Sequence, residues 1–165
     1  MMSASRRLLP LLCLAALLPT LAGCAHRTPV GPAAKDFTLT TLDGKKIRLA
    51  DLKGKTVLVN FWASWCGYCA EEAPDIEAIY QKYHPEGLEV LGVGDDDAAA
   101  LAAKASELKL TYPIGSNPEA VKLYGVTGFP TTIVINREGE IVDTLDGARP
   151  KIELESTVKA VMETK

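Results

Sequence analysis

Histidine and cysteine are scarce in this sequence, and their scarcity limits the chemistry that the chain can carry out. The 165 residues include two histidines, His26 and His84, and four cysteines. A structural zinc site needs four soft ligands, and neither histidine lies beside the cysteine pair at positions 66 and 69. The sequence therefore argues against a zinc centre, and we expect neither a metal nor a cofactor.

The sequence also lacks an excess of basic residues and an apolar stretch long enough to span a membrane. The formal net charge of −3 argues against a nucleic-acid partner. The apolar stretch at 8–19 contains roughly a dozen residues and is interrupted by proline, too short to span a bilayer well. No internal repeat is present. The chain is long enough for one domain with one sizeable core.

The N-terminus has the pattern of an export signal. Arg6 and Arg7 precede the apolar stretch, as in secretory leaders. The following "LAGC", residues 21–24, resembles the bacterial lipobox, in which a lipid is attached to the cysteine and the leader is cut in front of it. We expect a signal peptide at 1–23 and lipidation of Cys24. A plain small-residue cleavage site is the alternative.

Two cysteines remain for chemistry after this processing. Cys13 lies in the leader and Cys24 would carry lipid, which leaves Cys66 and Cys69 as free thiols. A bridge between residues three apart closes a loop too short to stabilise a fold much by chain entropy. The pair is therefore better explained by redox chemistry than by structural cross-linking.

The rest of the chain alternates strand and helix patterns. Residues 24–34, rich in proline and glycine, predict a flexible linker, and 35–165 form the folded domain. A hairpin is predicted around Asp43-Gly44, and "TVLVNFWA" and "LEVLGVG" predict buried strands. A helix begins near Cys66 and contains Pro74. The last helix is predicted from four apolar residues: Ile152, Leu154, Val158 and Val161. This order predicts an α/β fold with a mixed sheet.

The cysteine pair lies where a strand gives way to a helix. At the helix start, the Cys66 sulfur faces unpaired backbone N–H groups and the positive end of the helix dipole. Both stabilise a thiolate, which is the nucleophile of thiol chemistry. Cys69 lies one turn further along the same face and is close enough to form a disulfide. Trp65 is placed to shield the sulfur.

These motifs together resemble the thioredoxin superfamily. "VLVNFWASWCGYC", followed by "GVTGFPTT", carries the likeness, while the front hairpin and "CAEEAP" resemble its TlpA/ResA-like branch. The resemblance implies a thioredoxin-like three-layer sandwich, with helices on both faces of a mixed β-sheet and an N-terminal β-hairpin. It also implies a membrane-tethered thiol–disulfide oxidoreductase that reduces disulfides of envelope proteins, for example in cytochrome c maturation.

The resemblance assigns roles to further residues. Pro130 matches the superfamily's cis-proline, which turns the backbone of Phe129 toward an extended substrate segment. Glu72 resembles the general base that takes the proton from the second thiol, a role that needs a pKa raised by burial. The alternative for Glu72 is an acid favoured by the helix dipole.

Two positions depart from the thioredoxin pattern. Asn60 stands where thioredoxins proper keep a buried aspartate, and an amide cannot titrate. The residues between the cysteines are Gly67 and Tyr68 rather than the familiar Gly-Pro. Residues there tune the redox potential. With Trp65, Phe129 and Pro130, they are also expected to form the surface that binds substrate.

The expected setting follows from the same features. We expect a monomer in the bacterial cell envelope, anchored to a membrane by lipid and facing the periplasm or extracytoplasmic side. Its partners are disulfide-containing envelope proteins and a membrane thiol electron donor. Two alternatives share the fold. A peroxiredoxin-type thiol peroxidase needs a threonine and an arginine around one cysteine, and a copper-binding assembly chaperone needs a histidine beside the proline loop.

Overall fold

Two runs of apolar residues form the centre of the main sheet. The computed structural model of the protein describes residues 31–164. Strands β3 (Thr56–Trp62) and β4 (Leu88–Gly94) are buried along their whole length. Such strands are covered on both faces, which is why their sequences are almost continuously apolar rather than alternating.

The main sheet has five strands and is mixed. Its order is β5-β4-β3-β6-β7, with β5 at Ile114–Ser116, β6 at Thr131–Ile135 and β7 at Ile141–Asp146. Strands β3, β4 and β5 run parallel, whereas β6 is antiparallel to both β3 and β7. The mixed sheet predicted from the order of elements is confirmed.

A separate hairpin precedes the sheet. Strand β1 (Thr38–Thr40) pairs antiparallel with β2 (Lys46–Arg48). The turn contains Gly44 at φ +84°, a conformation that glycine adopts without steric cost. The hairpin predicted around Asp43-Gly44 is confirmed.

Within residues 31–164, four α-helices complete the fold, with bounds as follows: α1 Gly67–Tyr83, α2 Ala98–Glu107, α3 Pro118–Leu123 and α4 Lys151–Glu163. The N-cap residue that precedes the helix explains where two of them begin. The side chain of Asp97 accepts hydrogen bonds from the main chain at the start of α2, and Asn117 does the same for α3. Pro74 lies inside α1, as predicted.

The period of two along β3 divides the core into two layers. Leu58 and Trp62 face one layer, which contains the buried residues of α1, α2 and α4. Val57, Val59 and Phe61 face the other, with α3 and the hairpin. Helices therefore cover both faces of the sheet, which confirms the thioredoxin-like three-layer sandwich.

The apolar residues of α4 do not all lie on the buried side of the helix. Leu154 and Val158 are buried, whereas Ile152 is 76% exposed. At 100° per residue, Ile152 lies roughly 200° around the helix from Leu154. The last helix predicted from the apolar residues is confirmed, and Ile152 lies on its exposed side.

The last residues of the predicted linker contact the sheet. The main-chain N–H of Ala34 donates to the main-chain oxygen of Gly139 at 2.9 Å. The main-chain N–H of Ile141 donates to the main-chain oxygen of Pro32, also at 2.9 Å. A Cβ on Gly31 would lie 1.9 Å from the oxygen of Ile141, so only glycine fits. The leader, Cys24 and the first part of the linker lie outside the described residues. Within 31–164, no helix has the length and apolar character needed to cross a membrane.

Candidate active site

The two cysteines form a disulfide at the start of α1. The Sγ atoms of Cys66 and Cys69 are 2.12 Å apart, and their Cα atoms are 5.2 Å apart. Cys66 is the N-cap residue, with an extended backbone (φ −82°, ψ 110°), and its sulfur accepts a hydrogen bond from the N–H of Cys69 at 3.1 Å. The position predicted for Cys66 from the strand-to-helix junction is confirmed.

Aromatic side chains surround a largely buried disulfide. Cys66 is 7% exposed and Cys69 is 2% exposed, whereas Trp65 and Tyr68 are 72% and 69% exposed. The ring of Trp65 packs edge-to-face on that of Phe129, with centroids 6.0 Å apart. Gly67, between the cysteines, is exposed. Both cysteines are therefore buried, Cys69 more deeply, while the aromatic side chains that adjoin Cys66 and Cys69 in sequence are exposed.

The proline loop lies at the same end of the sheet. The Phe129–Pro130 peptide bond is cis, as the resemblance implied. Pro130 directly precedes β6, whose residue Thr131 pairs with Phe61 near the end of β3. The oxygen of Pro130 accepts a hydrogen bond from the N–H of Gly147 at 2.8 Å. These contacts fix the loop beside the strand that leads to Cys66.

Glu72 is a buried carboxyl group on α1. Its exposed fraction is 4%. One oxygen, Oε1, accepts from the main-chain N–H of Arg149 at 2.8 Å, and Oε2 lies 3.5 Å from Nδ2 of Asn60. Burial raises the pKa of Glu72 above its usual range, although the hydrogen bonds and the charge of Arg149 oppose that effect. A raised pKa is what proton transfer near neutral pH requires.

The neighbour Glu71 points elsewhere. It is exposed, whereas Glu72 lies three residues after Cys69 and therefore on a nearby part of the helix face. Asn60, on β3, also donates to Oγ1 of Thr132 at 2.9 Å. The amide thus connects the carboxyl group to the strand that follows the proline loop.

Sequence reasoning missed a carboxylate that holds the loop before the cysteines. Oδ2 of Asp96 accepts the main-chain N–H of Ser64 at 2.9 Å and also the Ser64 hydroxyl. Asp96 follows the end of β4, and Ser64 lies two residues before Cys66. The signal available was the acidic run after a buried strand, which is adjacent in space to the end of β3 because the two strands are parallel.

Arg149 was also missed. It lies in the loop between β7 and α4, 77 residues after Glu72. Its contact with Glu72 uses a main-chain N–H, which any residue except proline supplies, so the residue type at this position does not predict the contact. Among residues 31–164, no group of three histidine, cysteine or acidic side chains is arranged to hold a metal ion.

The chain matches known proteins over most of its length. Residues 30–144 match the AhpC/TSA family. The thiol-disulfide oxidoreductase ResA of Bacillus thuringiensis subsp. konkukian is 36% identical over 139 residues, covering 82% of this chain and 80% of that protein. ResA of Geobacillus kaustophilus is 34% identical, covering 80% of this chain and 78% of that protein.

Solved structures agree with the sequence matches. A crystal structure from Chlorobium tepidum, described as a thiol:disulfide interchange protein DsbE, superposes with a TM-score of 0.75 at 31% identity. The match covers 80% of this chain and 96% of that one. Together with the dithiol at the start of α1, these findings identify the chemistry: the chain belongs to the AhpC/TSA family and is a thiol–disulfide oxidoreductase.

Proposed function

We propose that this oxidoreductase works as a reductant of disulfides in proteins of the bacterial cell envelope. The observation that carries the proposal is the placement of a dithiol at a helix N-terminus with a buried carboxyl group, Glu72, on the same helix. Cys66 is the N-cap residue next to the exposed Trp65, whereas Cys69 lies inside the helix and is more deeply buried. We therefore propose that Cys66 is the nucleophile and Cys69 the resolving thiol.

The first step is attack on the substrate. With the pair reduced, the Cys66 thiolate is stabilised by the N–H of Cys69 and by the start of α1. It attacks one sulfur of a substrate disulfide, so that the substrate S–S bond breaks and a Cys66–substrate bond forms. The displaced substrate sulfur leaves as a thiolate and takes a proton from solvent.

The second step releases the product. The S–H bond of Cys69 breaks as its proton moves to Glu72, and the new thiolate attacks the sulfur of Cys66. The bond between Cys66 and the substrate breaks, the second substrate sulfur leaves as a thiolate that takes a proton from solvent, and the Cys66–Cys69 disulfide forms. Glu72 then releases its proton to solvent. Two electrons have then passed from the dithiol to the substrate. A membrane thiol electron donor must restore the dithiol before another turnover.

The surface around Cys66 supports binding of an extended polypeptide. Trp65 and Tyr68 are exposed aromatic side chains, and Phe129 precedes the cis-proline. Backbone pairing beside Phe129 and Pro130 would add the substrate segment like a further strand. Apolar contact with the aromatic rings would contribute affinity without reading a particular sequence.

We also propose that the protein is anchored through a lipid on Cys24 and acts as a monomer outside the cytoplasm. The leader-like N-terminus and the "LAGC" motif support this location. Incorporation of labelled palmitate that is lost in Cys24→Ser would support the anchor. Equal labelling of both proteins would contradict it.

The direction of electron flow is tested by the potential of the Cys66–Cys69 couple. A reductant requires a value close to that of thioredoxin, about −270 mV, and a value near about −120 mV would contradict the reductive direction. Trapping gives a second test, because Cys69→Ser should accumulate mixed disulfides with substrate proteins. Cys66→Ser is the matched control and should trap none.

A further inference from the structure

A threonine side chain closes the turn that contains the cis-proline. Oγ1 of Thr131, the first residue of β6, donates to the main-chain oxygen of Gly128 at 2.8 Å. Thr131 is 5% exposed, and Oδ1 of Asp146 on β7 lies 3.5 Å from the same hydroxyl. Loss of a buried hydrogen bond leaves its acceptor unpaired at a cost in free energy. The hydroxyl therefore holds Gly128 in place relative to β6.

The main chain of Phe129 lies between two bound carbonyl groups. The oxygen of Gly128 is held by the threonine, and the oxygen of Pro130 accepts from the N–H of Gly147 at 2.8 Å. In the described part of the chain, neither the N–H nor the oxygen of Phe129 has a hydrogen-bond partner. Phe129 is partly exposed and packs on Trp65, the residue before the first cysteine. Its main-chain groups are thus available to a ligand.

We propose that Thr131 is a positioning residue for the substrate polypeptide: through Gly128, its hydroxyl fixes the direction in which the main-chain N–H and oxygen of Phe129 point. An extended segment that presents its disulfide to Cys66 then pairs with those groups. The inference deepens the proposed binding of an extended polypeptide and rests on it. The hydroxyl takes no part in the bonds that break and form in the reaction.

Thr131 is separate from the groups that surround Glu72. Successive side chains of a strand point to opposite faces of the sheet. Oγ1 of Thr132 accepts from Asn60 at 2.9 Å, on the face that contains Glu72. Thr131 pairs with Phe61, whose side chain lies in the other layer of the core. Loss of the Thr131 hydroxyl should therefore affect substrate binding and leave proton transfer from the second cysteine unchanged.

Three substitutions isolate the hydroxyl. Thr131→Val removes it and keeps the branched shape, whereas Thr131→Ser keeps it. Thr144→Val makes the same change at an exposed position of β7 and is the matched control. A cooperative urea transition establishes that each variant folds. Thr131→Ala, which also lacks the hydroxyl, takes the place of the valine variant if that variant does not fold.

The measurement is the second-order rate constant of the reduced protein with two disulfides. One is an extended peptide disulfide, and the other is a small aromatic disulfide without a polypeptide backbone. In Thr131→Val, the constant for the peptide should fall about threefold to tenfold, as expected for about one hydrogen bond. The constant for the aromatic disulfide should stay the same. Thr131→Ser and Thr144→Val should match the wild type with both. An unchanged constant for the peptide, or equal losses with both disulfides, would overturn the inference.

A methylated peptide separates this inference from the proposed function. Methylation of the amide nitrogens that flank the attacked cysteine removes the donors available to the oxygen of Phe129. It should slow the wild type several-fold and Thr131→Val less, because effects on one shared interaction are not additive. Equal slowing of the two proteins would overturn the role of Thr131 and leave backbone pairing standing. If methylation did not slow the wild type, both the pairing and the inference would be wrong.

Discussion

The amide of Asn60 lies between two residues of the site: Nδ2 donates to Oγ1 of Thr132 at 2.9 Å and lies 3.5 Å from Oε2 of Glu72. A neutral donor at this position limits the cost of a buried carboxylate. An aspartate there would instead place a second negative charge beside Glu72. The departure from the thioredoxin pattern at Asn60 is thus consistent with a single titrating carboxyl group in this part of the site.

We expect Asn60→Asp to raise the pKa of Glu72 further, because neighbouring carboxylates disfavour each other's ionisation by about one unit or more. The NMR titration of the Glu72 carboxyl carbon measures the shift. Asn60→Leu, which has a similar volume and no charge, is the control for loss of the amide. Equal midpoints in the two variants would show that charge at this position has no effect on Glu72.

The free energy of unfolding of the wild-type protein, measured relative to that of Glu72→Gln, should fall as the pH rises. Burial raises the pKa of Glu72 in the folded state, so the folded protein binds this proton more tightly than the unfolded chain does. That contribution is present at acidic pH and is lost as the pH rises through the raised pKa.

Urea unfolding of the oxidised protein between about pH 4 and about pH 8 measures this difference. Each unit of pKa shift corresponds to about 1.4 kcal/mol. Glu71→Gln, the same change at the exposed neighbour, is the matched control. If the free energy of unfolding of the wild type, relative to that of Glu72→Gln, did not decline as the pH rises, burial would not disfavour the ionised form of Glu72.

The contact between Ser64 and Asp96 should stabilise the loop that carries Cys66. Asp96→Asn weakens two hydrogen bonds to a carboxylate and should lower the free energy of unfolding by about 1–3 kcal/mol. It should also slow the alkylation of Cys66, whose helix start the loop positions. Asp95→Asn removes an exposed neighbouring charge and is the control. Equal losses in both variants would contradict a specific role for Asp96.

The two apolar residues near the start of α4 should differ sharply in their effect on stability. Leu154 is 1% exposed and Ile152 is 76% exposed. Leu154→Ala should cost about 2–5 kcal/mol through lost contacts and a residual cavity, whereas Ile152→Ser should cost less than about 0.5 kcal/mol. Urea denaturation measures both. A large loss in Ile152→Ser would show that this residue packs on the core after all.

Sequence reasoning succeeded where the signal is local. The β-branched and aromatic run at Thr56–Trp62 predicts a strand buried on both faces, and the change of period after it places Cys66 at a helix start. Glu72 is singled out by the resemblance, and it is buried on the helix that begins at Cys66, while its role as the base stays a prediction. For the strand and the helix start, the residue types and their separation within one or two elements carry the information.

The misses have a different physical origin. Ser64 and Asp96 meet because two parallel strands end at one edge, and Arg149 reaches Glu72 through a main-chain N–H from a distant loop. Neither contact leaves a periodic pattern. Apolar character alone also does not fix which side of the first helical turn faces the core, as the exposure of Ile152 shows.

The central claim is that the sulfur of Cys66 is ionised near neutral pH at the start of α1. The test is the pH dependence of iodoacetamide modification at Cys66 in reduced Cys69→Ser, located by mass spectrometry, since this variant keeps the N–H at position 69. We expect half-maximal reactivity at least one unit below the value of about 8.5 typical of an unperturbed thiol. Modification with the pH profile and rate of a cysteine in a short peptide would contradict the account.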